Sequence, residues 1–237
     1  MELTGKNIAI GKISDNLRFE QRELRCARCG EPSPESMTSY FIFMRHGQTL
    51  LNEQGIIVGS IDDPMSEAGF AQAREAAERW KEKVELIVSS EMIRAKQTAD
   101  IFKEKFDVPI EYDHRLRERC VGADEGKQDE VPGTSSPLHD LFLREDYQPK
   151  CATPLKEFEE ETKEFLRDAA EKYKGKRVLF ITHGFRLLTI IKLIRGWDVG
   201  RITKYKLPAN CEAAGFYAGE ACVTCGNRFY EEKNKAK

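Results

Sequence analysis

The stretch "YFIFMRHGQTLLN" (40–52) decides how this chain folds. Its apolar part, with Ser39, makes the six-residue run "SYFIFM" (39–44), too short for an ordinary helix and rich in aromatic side chains, so it reads as a buried strand. The run stops at Arg45 and His46, and a glycine and a polar loop follow. A strand that ends this way delivers a permanent cation and a titratable imidazole to the edge of a sheet.

Working outward, strands and helices alternate. Ser66 is an N-cap for a helix over 66–83, a strand follows over 84–90, and "EMIRAKQTADIFKEKF" (91–106) is a second helix. Residues 109–116 read as a strand and 121–138, dense in Gly, Asp, Pro and Ser, as a loop. Residues 154–175 make an amphipathic helix with Leu155, Phe158, Phe165, Ala169 and Tyr173 on one face. "RVLFIT" (177–182) is a strand, an apolar helix starts near Phe185, and 211–218 closes the series. This alternation predicts an α/β fold: a mostly parallel sheet with helices on both faces. Ligands of such sheets bind at the carboxyl ends of the strands, where Arg45, His46 and the "THG" of 182–184 all fall.

Bulk properties narrow the class. The net charge of −2 over 237 residues argues against a strongly basic nucleic-acid binder. The most apolar later stretch, "LLTIIKLIRGW" (187–197), is interrupted by Lys192 and Arg195 and falls short of the roughly 20 residues a membrane span needs. With no leader-like run at the start, the expectation is a soluble, cytoplasmic protein without a membrane partner. Arg45 and Arg94 can grip oxyanions in a bidentate fork, and His46 and His183 titrate near neutral pH. His183 also opens a helix, whose first backbone N–H groups favour anions. A phosphoryl group is the simplest occupant of such a cluster.

At these residues the chain resembles the histidine phosphatase superfamily, the phosphoglycerate mutase-like fold. "RHGQT" (45–49) is similar to that family's opening signature, with Asn52 at its asparagine. "SEMIRAKQTA" (90–99), "RLRERCVG" (115–122) and "FITHG" (180–184) resemble its later blocks, in the same order. The resemblance implies a three-layer domain over 39–218 and a small phosphorylated substrate. It implies His46 as nucleophile through a phosphohistidine, Glu118 as proton donor, and Arg45, Arg94, His183 and Asn52 as phosphate-binding groups. Asp124 and Glu125 are rival carboxylates near Glu118, whereas His114 and His139 read as surface residues. No cofactor is needed for that chemistry.

Compared with the mutase branch, Val121 replaces a tyrosine and Asp129 a lysine, Ile56 stands at a frequent arginine, and "ATP" (152–154) replaces "GES". The branch's long insertion is missing, as only 64 residues separate Glu118 from His183. These departures favour a phosphomonoesterase over a phosphoglycerate-type mutase, the alternative reading.

Two of the cysteine pairs share one spacing: Cys26 and Cys29 in "CARCG", Cys222 and Cys225 in "CVTCG". Each resembles a zinc knuckle, and together they predict a structural four-cysteine site for zinc, or for mononuclear iron. The site would staple a small β-rich, zinc-ribbon-like module made of 1–38 and 219–237, with "NIAIGK", "LRFEQRELR" and "NRFYEE" as strands. Such a module leaves open a protein or nucleic-acid partner. A third reading is therefore a zinc-module binding protein whose phosphate site is vestigial or senses a ligand.

Overall fold

A computed structural model describes residues 8–10, 25–26, 38–130, 138–202, 205, 207–219 and 229–230. The strands are β1 (Ile8–Ile10), β2 (Arg25–Cys26), β3 (Thr38–Arg45), β4 (Leu86–Ser89), β5 (Ile110–Tyr112), β6 (Arg177–Thr182), β7 (Ala213–Gly219) and β8 (Phe229–Tyr230). The helices are α1 (Leu50–Glu53), α2 (Glu67–Arg79), α3 (Ile93–Phe106), α4 (Leu155–Lys172), α5 (Gly184–Arg195) and α6 (Val199–Ile202).

The main sheet has the order β1-β7-β3-β6-β4-β5. Strands β3, β6, β4 and β5 run parallel, while β7 pairs antiparallel with β3. The sheet is thus mixed, with its parallel part around the histidines. Side chains alternate between faces with the pleat. Phe41 and Phe43 join Val178, Phe180 and Phe216 beneath α4 and α5. Tyr40, Ile42 and Met44 join Leu179 and Ile181 beneath α2 and α3. Phe180 sits among Phe41, Phe43, Phe165 and Tyr173, stacked on Phe43 at 4.6 Å between ring centroids. A third cluster, including Val121, Phe142, Phe158, Phe185 and Leu188, packs the loops that roof one end of the sheet against α4 and α5.

Several elements are shorter than expected, each for a local reason. Helix α2 has the expected Ser66 cap, whose hydroxyl accepts from Gly69 N–H at 3.1 Å, but ends at Arg79. There the backbone of Trp80 turns extended and its ring packs edge-on against Phe102 and Phe106. The strand expected over 109–116 stops at Tyr112, because Asp113 turns the chain into a single 3-10 turn by accepting from Arg115 N–H at 2.9 Å.

The amino-terminal strand differs from the expectation in place. Instead of serving a separate module, β1 lies on the exposed edge of the main sheet, Ala9 opposite Tyr217. Strand β7 would otherwise present an unpaired edge, which proteins ordinarily cover. Strand β2 pairs with β8, Cys26 opposite Phe229. Cys29, Cys222 and Cys225 lie outside the described residues, and no metal-holding group of His, Cys, Asp or Glu occurs among the described ones. Among the described residues no helix is long and apolar enough to cross a membrane.

Candidate active site

Register builds the site. Arg45 is paired with Thr182 across β3 and β6, so His46 and His183 leave adjacent strands at the same level. Parity aims them: His46 continues the face of Ile42 and Met44, and His183 that of Leu179 and Ile181. Both rings therefore turn toward the α2/α3 layer, 5.0 Å apart between centroids and almost fully buried. Arg94, in the first turn of α3, reaches them from that layer. Its Nε–H is shared between His46 Nε2 and His183 Nδ1, each at 3.2 Å.

The partners assign the tautomers. Gly47 O, 2.7 Å from His46 Nδ1, only accepts, so Nδ1 carries the proton and Nε2 keeps its lone pair. Arg94 Nε only donates, so His183 Nδ1 accepts and its Nε2–H donates to Ser90 Oγ at 2.8 Å. Burial, then the charges of Arg94 and Arg45, hold His46 well below the usual histidine range. Burial and Arg94 do the same to His183, with smaller contributions from His46 and other arginines. Both imidazoles are thus neutral near pH 7, as a nitrogen nucleophile requires.

The loop carrying His46 is fixed from several sides. Gly47 N–H donates to Thr98 Oγ1 at 3.0 Å, and His46 O accepts from Asn210 Nδ2 at 3.0 Å. A Cβ on Gly47 would sit 2.7 Å from Gly69 O, and one on Gly69 only 1.9 Å from Gln48 O, so only glycines let α2 approach this closely. Asn52 Oδ1 accepts from Thr49 N–H at 3.3 Å, closing a capping box at the start of α1, and from Asn210 Nδ2 at 3.4 Å.

Arg45, of opposite parity, points to the α5 side. Its Nη1 donates to Pro208 O at 2.7 Å, whereas its buried Nε has no partner among the described residues. Burial lowers its pKa, chiefly opposed by Glu118. Burial likewise lowers Arg94 to about 10, again chiefly opposed by Glu118. Two desolvated guanidiniums beside two neutral imidazoles form a site short of negative charge, which an oxyanion would relieve.

Glu118 lies at the start of α5. Its oxygens accept from the backbone N–H groups of Arg119 (2.9 Å), Phe185 (3.0 Å) and Arg186 (3.3 Å). The helix N-terminus expected to hold a ligand anion thus holds this carboxylate. Both rivals are engaged elsewhere: Asp124 by Lys127 and Tyr147, Glu125 by Ser60 and Val121. His114 is exposed, as expected. His139 is not a bare surface residue: it bonds Asp129 through its ring and backbone, and its ring lies 6.4 Å from that of Phe185. Sequence patterns gave no sign of Ser90, Thr98, Asn210 or the carbonyls that hold Arg94. Each acts through long-range bonds made from a loop or a helix interior.

The description "Histidine phosphatase superfamily (branch 1)" matches residues 41–220. The chain belongs to the histidine phosphatase superfamily. Among its relatives in that superfamily, the Bacillus subtilis protein "Uncharacterized phosphatase PhoE" is 32% identical over 158 residues, covering 65% of this chain and 77% of the relative. A 2,3-bisphosphoglycerate-dependent phosphoglycerate mutase of Bifidobacterium longum is 28% identical over 205 residues, covering 73% and 83%. Mycobacterial glucosyl-3-phosphoglycerate phosphatase, solved with VO3, shares the fold with a TM-score of 0.66 at 24% identity, covering 74% of this chain and 90% of that one. The chain is thus similar both to a phosphatase and to a mutase.

Proposed function

We propose that this histidine phosphatase superfamily member is a phosphomonoesterase that works through a phosphohistidine on His46. The observation that carries the reading is the shared Arg94 Nε–H, which draws the unprotonated His46 Nε2 and the second imidazole to one point. In the first step His46 Nε2 attacks phosphorus as the bond to the leaving oxygen breaks, and Glu118, which takes up a proton when the phosphomonoester binds, passes that proton to the leaving oxygen. In the second step water attacks the phosphohistidine, its proton passes to Glu118, and phosphate leaves with His46 restored. Arg45 and Arg94 carry the charge on the equatorial oxygens, and His183 Nδ1 donates to them once a bound dianion has raised its proton affinity. Asn52, in α1, offers its Nδ2–H groups as a further polar contact, its Oδ1 being taken by Thr49 N–H. The substrate is a small phosphorylated molecule.

The mutase reading has the Bifidobacterium relative in its favour. Against it stands Asp129, a carboxylate bonded to His139, where the mutase branch places a lysine. A mutase would interconvert phosphoglycerates only with a bisphosphoglycerate primer, whereas the phosphomonoesterase releases phosphate without one. We also propose that Cys26, Cys29, Cys222 and Cys225 bind one structural zinc, since four thiolates in two CxxC turns suit a tetrahedral ion. The pairing of β2 with β8 is the support from the fold. Metal analysis of the purified protein, with and without Cys26→Ser, tests this. About one zinc per chain that is lost in the variant is expected, and a metal-free wild type refutes it.

The functional test is hydrolysis of p-nitrophenyl phosphate from pH 5 to 8 without added divalent metal, for wild type and His46→Ala. Phosphate release in the wild type alone is expected. Equal rates in both would remove His46 from the chemistry.

A further inference from the structure

We propose that Glu125 is a positioning residue: by pinning the 59–61 segment it sets the direction in which Arg94 presents its guanidinium. The inference rests on the reading above that Arg94 binds the phosphoryl group.

Arg94 is aimed by two carbonyls. Its Nη1 donates to Ile61 O at 2.7 Å and its Nη2 to Gly59 O at 2.9 Å, while Nε faces the histidines. The guanidinium is planar, so fixing both terminal nitrogens fixes the plane and hence the direction of Nε–H. Yet both carbonyls belong to a segment that lies in no helix or strand. Something else must hold it.

Glu125 is placed to do so. Its Oε1 accepts from Ser60 N–H at 2.8 Å and from Val121 N–H at 3.0 Å, and the Ser60 hydroxyl lies 2.9 Å from both of its oxygens. Ser60 is the residue between the two that supply the carbonyls, so one carboxylate governs both. The contact is close: Gly59 has φ +52, and a Cβ there would lie 2.4 Å from Glu125 Oε1. The left-handed backbone thus favours glycine there, and a side chain in its place would push Glu125 aside. Glu125 is itself held by the roof, where Gly126 N–H donates to Ile57 O and Ile57 N–H to Lys127 O, each at 2.8 Å. The short loop that carries Glu118 therefore also carries the brace for Arg94. Proton donor and phosphate-binding arginine are set by one segment, 118–127.

The test uses full-length protein, p-nitrophenyl phosphate as substrate and orthovanadate as a phosphoryl mimic. Glu125→Ala is expected to weaken vanadate binding and lower kcat/KM by about 10- to 100-fold, the scale of an ångström misplacement. Glu125→Gln, which keeps an acceptor for Ser60 N–H, is expected to recover most of the loss. Ser60→Ala, a milder lesion, is expected to show a smaller loss in the same direction. The deciding readout is the Arg94→Ala background. If Glu125 acts through Arg94, Glu125→Ala adds little to Arg94→Ala. A purely structural role would lower activity by the same factor in both backgrounds, and that result overturns the proposal, as does unchanged vanadate affinity in both Glu125→Ala and Ser60→Ala. Loss of the underlying reading looks different: wild-type protein would then fail to bind vanadate, or Arg94→Ala would bind it as wild type does.

Discussion

Gly69→Ala tests whether the aim of His46 depends on the close seat of α2 against the loop that carries it. A Cβ on Gly69 would lie 1.9 Å from Gln48 O and 2.9 Å from Gln48 C and N. All three are backbone atoms, so no side chain can swing away. Either α2 or the 46–48 loop must retreat by roughly 1–1.5 Å to restore an ordinary contact, and overpacking of this kind costs about 1–3 kcal/mol. Alanine's better helix propensity offsets at most about 1 kcal/mol of that. The net loss, up to about 2 kcal/mol, lowers Tm by up to roughly 8 °C for a domain of this size. The larger effect falls on catalysis. Gln48 O also accepts from Ser66 N–H at 2.9 Å, so the retreat pulls on the residue two places after His46. A shift near 1 Å at the nucleophile lowers kcat/KM by about 100-fold. The assay is p-nitrophenyl phosphate turnover beside thermal melting, with Gly200→Ala as control because a Cβ there meets nothing nearer than 3.6 Å. A Gly69→Ala protein with wild-type kcat/KM would refute the reasoning, whatever its Tm.

Three further outcomes follow from the same geometry. Burial and Arg94 hold His46 and His183 neutral in the fold, whereas the unfolded chain takes up protons near pH 6.5. The unfolded state thus binds more protons below that pH, so stability is full above about pH 6.5 and falls as pH drops, by up to about 1.4 kcal/mol per pH unit for each ring. Urea midpoints at pH 7 and pH 5 measure this, and a midpoint that does not fall contradicts it. Ser90→Ala removes the acceptor of His183 Nε2–H and leaves a buried donor unpaired, at a cost of about 1–3 kcal/mol. A lowered denaturation midpoint together with weaker vanadate binding is expected, and unchanged values of both would disprove the pairing. Phe180→Ala empties the centre of the aromatic cluster, where Phe180 is fully buried, and is expected to lose about 3–5 kcal/mol in chemical denaturation. A loss below about 1 kcal/mol would contradict the packing.

The strands that present the histidines were legible because they are buried on both faces and read as unbroken apolar runs. "YFIFMRHG" and "LFITHG" place Arg45, His46 and His183 at strand ends without any knowledge of pairing. That the two rings meet needed the register of Arg45 with Thr182, a long-range fact that no local pattern encodes. The roof was the least legible part. Arg119 is buried and holds it by donating to Thr153 O at 2.8 Å and to Phe142 O, bonds that span 34 and 23 residues with no periodicity to betray them. Glu125 illustrates the limit. As a letter it competed with Glu118 for the proton donor's place, and only its bonds to Ser60 and Val121 separate the two. The helix start at His183 gave the reverse lesson. An anion was expected there, and the chain supplies its own in Glu118.

The central claim is that His46 is phosphorylated during turnover. Rapid quenching of wild-type protein with p-nitrophenyl phosphate, followed by peptide mapping under alkaline conditions that preserve phosphohistidine, tests it most directly. The account predicts one acid-labile phosphoryl group on the peptide that contains His46, absent from His46→Ala. Turnover with no covalent phosphoryl group, or with the group on a different residue, would contradict it.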